Sequence, residues 1–265
     1  RLSGDEVLID RIELAARLDG AQLELQRLVL RLPQGGLSLS AKTSLYADMP
    51  VDLDATWDWL LTPPADATAK LAAPSSLKGS FALEGQLRWG QRLAFDLDYQ
   101  GEASGLEALD ASLPPLARFD GTASGSQDAE SLLVEAFSLA VADTPLALSL
   151  TGQRTGVADP EPKADLSLQW EGLAWPLKAD EPIFNSPGGR ASLAGTASNY
   201  RADLAAELGG QDIPDGRWTL EGHGNTSGFQ VEGLDGEVIG GELSASGDIT
   251  WDPAITWNLE IDGSG

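Results

Sequence analysis

Two segments of the chain repeat one another in a single alternation register. Residues 77–101 (LKGSFALEGQLRWGQRLAFDLDYQG) align without a gap to residues 239–263 (IGGELSASGDITWDPAITWNLEIDG), 162 positions further on. Leu77 falls on Ile239, Gly79 on Gly241, Phe81 on Leu243, Gly85 on Gly247, Leu87 on Ile249 and Trp89 on Trp251. Phe95 then falls on Trp257, Leu97 on Leu259, Tyr99 on Ile261 and Gly101 on Gly263. A weaker relative spans Leu146 to Trp170, where Leu150, Gly152, Leu166, Leu168 and Trp170 flank a longer loop containing proline. A small unit that recurs and cannot bury its own apolar face points to a stacked architecture, in which each copy leans on its neighbours.

The unit reads as strands. Leu166, Leu168 and Trp170 alternate with Asp165, Ser167 and Gln169, and Phe95, Leu97 and Tyr99 alternate with Asp96, Asp98 and Gln100. That is the period-2 signature of a strand with one dry face. The pattern returns at Leu23 and Leu25, Leu28 to Leu32, Leu37 and Leu39, Val51 and Leu53, Leu146 to Leu150, Trp218 and Leu220, Phe229 and Val231, and Trp257 to Ile261. Pro33-Gln34-Gly35-Gly36, Pro63-Pro64, Pro114-Pro115, Ser186-Pro187-Gly188-Gly189, Gly209-Gly210 and Gly240-Gly241 supply turns between them. Two stretches, Ile12 to Leu18 and Arg201 to Leu208, also contain good helix formers. Each is short for a helix and fits a strand with small inward residues.

Glycine inside a strand weakens pairing and marks a bulge or sharp bend. Gly85 and Gly247 hold equivalent inward positions, so a sheet bent there in successive strands curls into a trough. The expected fold is therefore all-β: an elongated curled sheet, a β-groove or β-taco, with an apolar concave interior and a polar acidic exterior. Residues 1–265 are read as one continuous repeat-type segment with no separate globular domain. The inward positions named for this lining are Phe81, Leu83, Leu87, Trp89, Phe95, Leu97, Tyr99, Leu166, Leu168, Trp170, Trp218, Leu220, Phe229, Val231, Ile249, Trp251, Trp257, Leu259 and Ile261. On the residues alone, a closed core as in a β-sandwich is the commoner fate of alternating strands.

Charge narrows the function. The chain carries 41 acidic against 17 basic residues, a net charge of -24, which repels nucleic-acid backbones and anionic lipid surfaces. With no cysteine, a disulfide framework and a Cys-based metal site are impossible. No stretch approaches 18 uninterrupted apolar residues, so no helical membrane span is expected. The start at Arg1, without methionine or signal peptide, suggests an interior piece.

Catalytic signals are weak. His223 is the single histidine and lies in a turn-like context, Gly222-His223-Gly224-Asn225, that suits a solvated loop residue better than a base or ligand. Ser75-Ser76-Leu77-Lys78 matches S-x-x-K without its companion motifs. The pairs Asp52 and Asp54, and Asp96 and Asp98, fit a solvated strand face better than a hydrolase dyad. No calcium-loop pattern is present, and Asn225-Thr226-Ser227 is a glycosylation sequon by pattern only. No enzyme activity, cofactor or metal is expected.

Three segments carry a resemblance: Leu166 to Leu177 (LSLQWEGLAWPL), Gly240 to Ile261 with its G-x-x-W-x-P-x-x-x-W core, and Asp212-Ile213-Pro214-Asp215-Gly216 followed by Trp218-x-Leu220-x-Gly222. In these the chain resembles the TamB family, within the AsmA-like group of long periplasmic β proteins. The likeness covers residues 77–263 well and 1–76 loosely, and has no single diagnostic position. The resemblance implies a periplasmic protein with an inner-membrane anchor and an Omp85-type outer-membrane partner met through regions outside this segment. It also implies transport of phospholipid acyl chains along the groove, and a part in assembly of outer-membrane proteins and autotransporters. The competing readings are a passive β-repeat scaffold or adhesin with a filled core, and a carbohydrate-binding β-sandwich.

Overall fold

The computed structural model describes residues 9–46, 48–61, 75–108, 113–177, 182–211, 213–238, 240–251 and 254–265. The Pro63-Pro64 turn, and Ile239 with its match to Leu77, lie outside them. Sixteen strands account for almost all of the rest. They are β1 (Arg11–Asp19), β2 (Gln22–Leu32), β3 (Gly35–Ser44), β4 (Asp48–Leu61), β5 (Ser75–Trp89), β6 (Leu93–Ser104), β7 (Leu116–Gln127) and β8 (Ser131–Val141). After these come β9 (Ala147–Thr155), β10 (Lys163–Trp175), β11 (Phe184–Thr196), β12 (Asn199–Gly210), β13 (Gly216–Gly224), β14 (Gly228–Val238), β15 (Gly241–Thr250) and β16 (Thr256–Ser264). The one helical element among the described residues is a 3-10 turn at Leu106–Ala108. Both ambiguous stretches are strands: Ile12 to Leu18 lies within β1, and Arg201 to Leu208 within β12.

Strand order in the sheet is the order in the chain, β1 through β16. Such a meander needs only short connections, and the turn residues provide them. Asp128 and Asn225 make two of these turns by the same device. Asp128 Oδ1 accepts from the backbone N–H groups of Glu130 and Ser131 at 2.9 and 2.7 Å, and from the Ser131 hydroxyl at 2.9 Å. Asn225 Oδ1 accepts from Ser227 N–H and its hydroxyl, both at 2.8 Å, and from Gly228 N–H at 3.2 Å. A side-chain oxygen placed just before a reversal satisfies the donors that the ladder cannot reach.

The chain divides into two compact units, residues 1–90 with 94–121, and residues 91–93 with 122–265. In the first unit, the antiparallel registers set Leu14 opposite Leu28, Leu28 opposite Leu39, Leu39 opposite Ala55 and Ala55 opposite Phe81. On the reverse face Glu24 meets Lys42, and Lys42 meets Asp52. The second unit follows the same rule. Phe137, Leu150, Leu168, Ala191, Leu204, Leu220, Leu234, Ala245 and Ile261 form one cross-strand row through β8 to β16. Opposed residues in an antiparallel ladder share a face, so each such row is a continuous apolar stripe. Register shifts at Ala15/Ala16, Leu25/Leu28, Val134/Phe137, Asn185/Gly189, Glu221/Gly222 and Val231/Leu234 insert extra residues without transferring leucines to the polar face.

Candidate functional site

The distinguishing surface is the apolar face, and what marks it is how little of it is buried. Among the described residues the buried hydrophobic side chains are Val29, Leu146, Trp170, Ala206, Val231 and Ala245. Phe81, Leu83, Leu87, Phe95, Leu97, Tyr99, Leu166, Leu168, Trp218, Leu220, Phe229, Ile249 and Leu259 are all half-buried. In a closed sandwich, inward residues of this size are covered by the opposing sheet. Here the same positions stay partly exposed.

The aromatic residues on this face are seated by glycine. A Cβ at Gly189 would strike the indole of Trp170, one at Gly236 would lie 2.7 Å from that of Trp218, and one at Gly79 would strike that of Trp57. These are register partners: Trp170 with Gly189, Trp218 with Gly236, and Trp57 with Gly79. A flat ring laid over a neighbouring glycine restores the packing that the missing side chain forfeits. Trp170 is further held by a hydrogen bond from its Nε1 to Ser186 Oγ at 2.8 Å, within a site where Ser186 has no exposed surface. Trp218 Nε1 is buried and has no partner.

The glycines of the repeat do equivalent work in both copies. Gly85 and Gly247 have φ of +157° and +145°, and a Cβ on either would collide with a backbone carbonyl, that of Asp96 or Asn258, and crowd the Cα of Leu97 or Leu259. These are the same positions of the repeat. Phe81 and Tyr99 stack on the apolar face with ring centroids 6.2 Å apart, and Tyr200 and Phe229 do so at the same spacing. Burial, and after it the charge of Asp120, pushes the Tyr99 phenol above its ordinary pKa.

Four of the named lining residues sit less deeply. Trp89 ends β5 and is 66% exposed, while Trp257 and Ile261 on the last strand are 69% and 57% exposed. Trp251 lies past the end of β15, where its Nε1 donates to Thr226 O at 2.8 Å; it closes over the β13–β14 turn instead of extending an apolar row. His223 is on β13, not in a turn, paired with Arg201 in the ladder and hydrogen-bonded through Nδ1 to Glu232 Oε1 at 3.0 Å. It belongs to the polar face, where Arg201 also reaches Asp203, Glu221 and Glu232 at 3.3, 3.1 and 3.7 Å. A recess of about 930 Å³ bordered by Ser149, Gln169, Arg190, Glu207 and Arg217 opens on that polar face. Alternation could not have shown it, because it depends on how long side chains of neighbouring strands stand apart.

Residues 129–265 match the family model described as TamB, N-terminal domain. The chain belongs to the TamB family. The matched span begins just before β8 and takes in all the apolar rows from β8 to β16, together with the Trp170 and Trp218 seats. It also includes the second copy of the internal repeat, so the TamB assignment and the repeat meet on the same hairpin. No solved structure matches the chain.

Proposed function

We propose that this chain is a hydrophobic β-groove segment of a periplasm-spanning TamB-type protein, anchored in the inner membrane, that shields lipid acyl chains on their way between inner and outer membranes. In this reading residues 1–265 work as one continuous repeat-type surface. An Omp85-type outer-membrane partner is met elsewhere in the protein, and support for outer-membrane protein and autotransporter assembly follows from the same conduit. The chain is not an enzyme in this account, because moving a lipid along a surface breaks and makes no covalent bond.

The observation that carries the proposal is the cross-strand row from Phe137 to Ile261, one apolar residue from every strand of β8 to β16, of which only Ala245 is buried. Each CH2 taken out of water is worth about 0.8 kcal/mol, so covering a long acyl chain saves on the order of 10 kcal/mol. Transit also demands that no position hold the chain much better than its neighbours. Leucine and alanine recurring along a row, with no polar group between them, meet that requirement.

The test is site-specific photo-crosslinking in cells. Probes at Leu97 and Leu259 on the apolar face should capture phospholipid, and probes at Asp96 and Glu260 on the reverse face should not. Capture confined to Asp96 and Glu260 would overturn the assignment of the lipid-bearing face, and capture at none of the four would overturn the proposal.

A further inference from the structure

On the apolar face of the second unit one residue breaks the pattern. Arg154 is opposed by Leu132 on β8 and Ala164 on β10. Ala164 lies on the same side of β10 as Leu166, Leu168 and Trp170, and the β9–β10 ladder runs from Glu171 to Lys163 without a register shift. Arg154 therefore shares the face of Leu148 and Leu150, and among the paired positions of that face in β8 to β16 it alone is charged. It is exposed, lies one residue from the end of β9, and takes part in none of the ion pairs among the described residues.

We propose that Arg154 is a headgroup site: its guanidinium pairs with the phosphodiester of a phospholipid whose acyl chains lie on the adjoining apolar rows. This rests on the acyl-shielding reading above and adds the polar end of the ligand to it. Arg92 pairs with Asp128, Arg118 with Glu102 and Arg217 with Glu207, while Arg31, Arg88 and Arg190, which have no ion pair among the described residues, stand on the polar face. What sets Arg154 apart is its place on the apolar face together with the want of a carboxylate. Arg154 has none, in a chain of net charge -24, and Glu161 in the adjoining loop is engaged by the Ser198 hydroxyl at 2.7 Å. An aliphatic stem that lies along leucines while its charge reaches the rim is the ordinary behaviour of arginine at an apolar boundary. The planar guanidinium matches phosphate oxygens two at a time. The same outermost row carries Tyr200 and Trp257, side chains that suit the junction of headgroup and hydrocarbon.

The experiment places a photo-crosslinker at Leu132, beside Arg154, or at Leu259, remote from it, in the intact chain. The chain is incubated with phosphatidylcholine vesicles containing labelled phosphatidylglycerol or labelled diacylglycerol. Arg154→Gln should lower phosphatidylglycerol capture at Leu132 roughly three- to tenfold, the size expected for one exposed charge-assisted contact. Arg154→Lys should retain part of it, raised salt should weaken the wild-type capture, and diacylglycerol capture should not respond to the substitution. Unchanged phosphatidylglycerol capture at Leu132 in Arg154→Gln, with capture at Leu259 intact, overturns the headgroup assignment alone. Equal loss at both positions also overturns it, as a general defect. Absence of capture at Leu259 in the wild type overturns the acyl-shielding reading and this site with it.

Discussion

Ser186 accepts a hydrogen bond at 2.8 Å from the indole nitrogen of Trp170, whose ring in turn lies over Gly189. Ser186 is fully enclosed, so its hydroxyl was placed where water cannot substitute for it. The contrast is Trp218, seated over Gly236 in the same manner but with its Nε1 unpartnered.

Ser186→Ala should therefore destabilise the second unit by about 1–3 kcal/mol, the cost of leaving a buried donor unsatisfied. Trp218→Phe removes a donor that already has no acceptor and should cost less than Trp170→Phe. Urea unfolding midpoints of the three variants decide this. A Ser186→Ala midpoint equal to wild type would show that the hydrogen bond contributes nothing.

Gly85→Ala and Gly247→Ala should each cost more than about 1 kcal/mol, because a Cβ meets a carbonyl oxygen and the backbone lies at positive φ. Gly188→Ala is the control, since its nearest neighbour is the Trp170 carbonyl oxygen at 3.9 Å and its φ is not positive. The two repeat glycines should behave alike in thermal unfolding. A difference between them as large as either effect would mean that the repeat is a likeness of sequence without a shared packing role.

These cases mark what alternation makes legible and what it hides. Period 2 identifies strands and assigns Leu166, Leu168 and Trp170 to one face, because side-chain direction is local to the strand. The repeat locates Gly85 and Gly247 because both copies need the same close approach. Which glycine lies beneath which tryptophan is a cross-strand fact, set by register, and no pattern within one strand contains it. Arg154 was hidden for a related reason. Arg154 has the parity of Leu148 and Leu150, but Gly152 stands between them where a bulge would reverse the face, and the unshifted pairing with Ala164 is what keeps Arg154 among the leucines. The glycines on either side of His223 suggest a turn, but both are strand residues, Gly224 lying under the ring of Tyr200.

The turn at Asp128 should make part of the stability depend on pH. Its carboxyl is held below the usual aspartate range by the Glu130 N–H first, then by the hydroxyl and N–H of Ser131, with Arg92 contributing at 3.1 Å. A group whose folded pKa is depressed contributes stability above its unfolded pKa and loses it as pH falls through the folded value. Stabilisation by this turn should thus be complete at neutral pH and disappear in acid, below the ordinary aspartate range. Asp128→Asn keeps an acceptor oxygen, as Asn225 does in its own turn, and should flatten the acid dependence while leaving the turn formed. An NMR titration of Asp128 that returns an ordinary aspartate pKa would contradict this.

Arg201 is a hub among acids, and its removal should be felt through salt. From residue 200 onward the chain has 13 acidic residues and two basic ones, Arg201 and Arg217. The Arg201 guanidinium pKa is raised by its hydrogen bond with Asp203 first, and then by the charges of Asp203, Glu232 and Glu221. Arg201→Gln leaves those three carboxylates facing one another on adjacent strands, where like charges repel. The variant should therefore unfold at lower temperature than wild type in dilute buffer. The gap should narrow in about 1 M salt, where the Debye length falls to about 3 Å. Arg201→Lys keeps the charge but not the planar fork, so it should lie between the two. A gap that stays constant from low to high salt would instead attribute the loss to the packing of the arginine stem and remove the electrostatic account of this face.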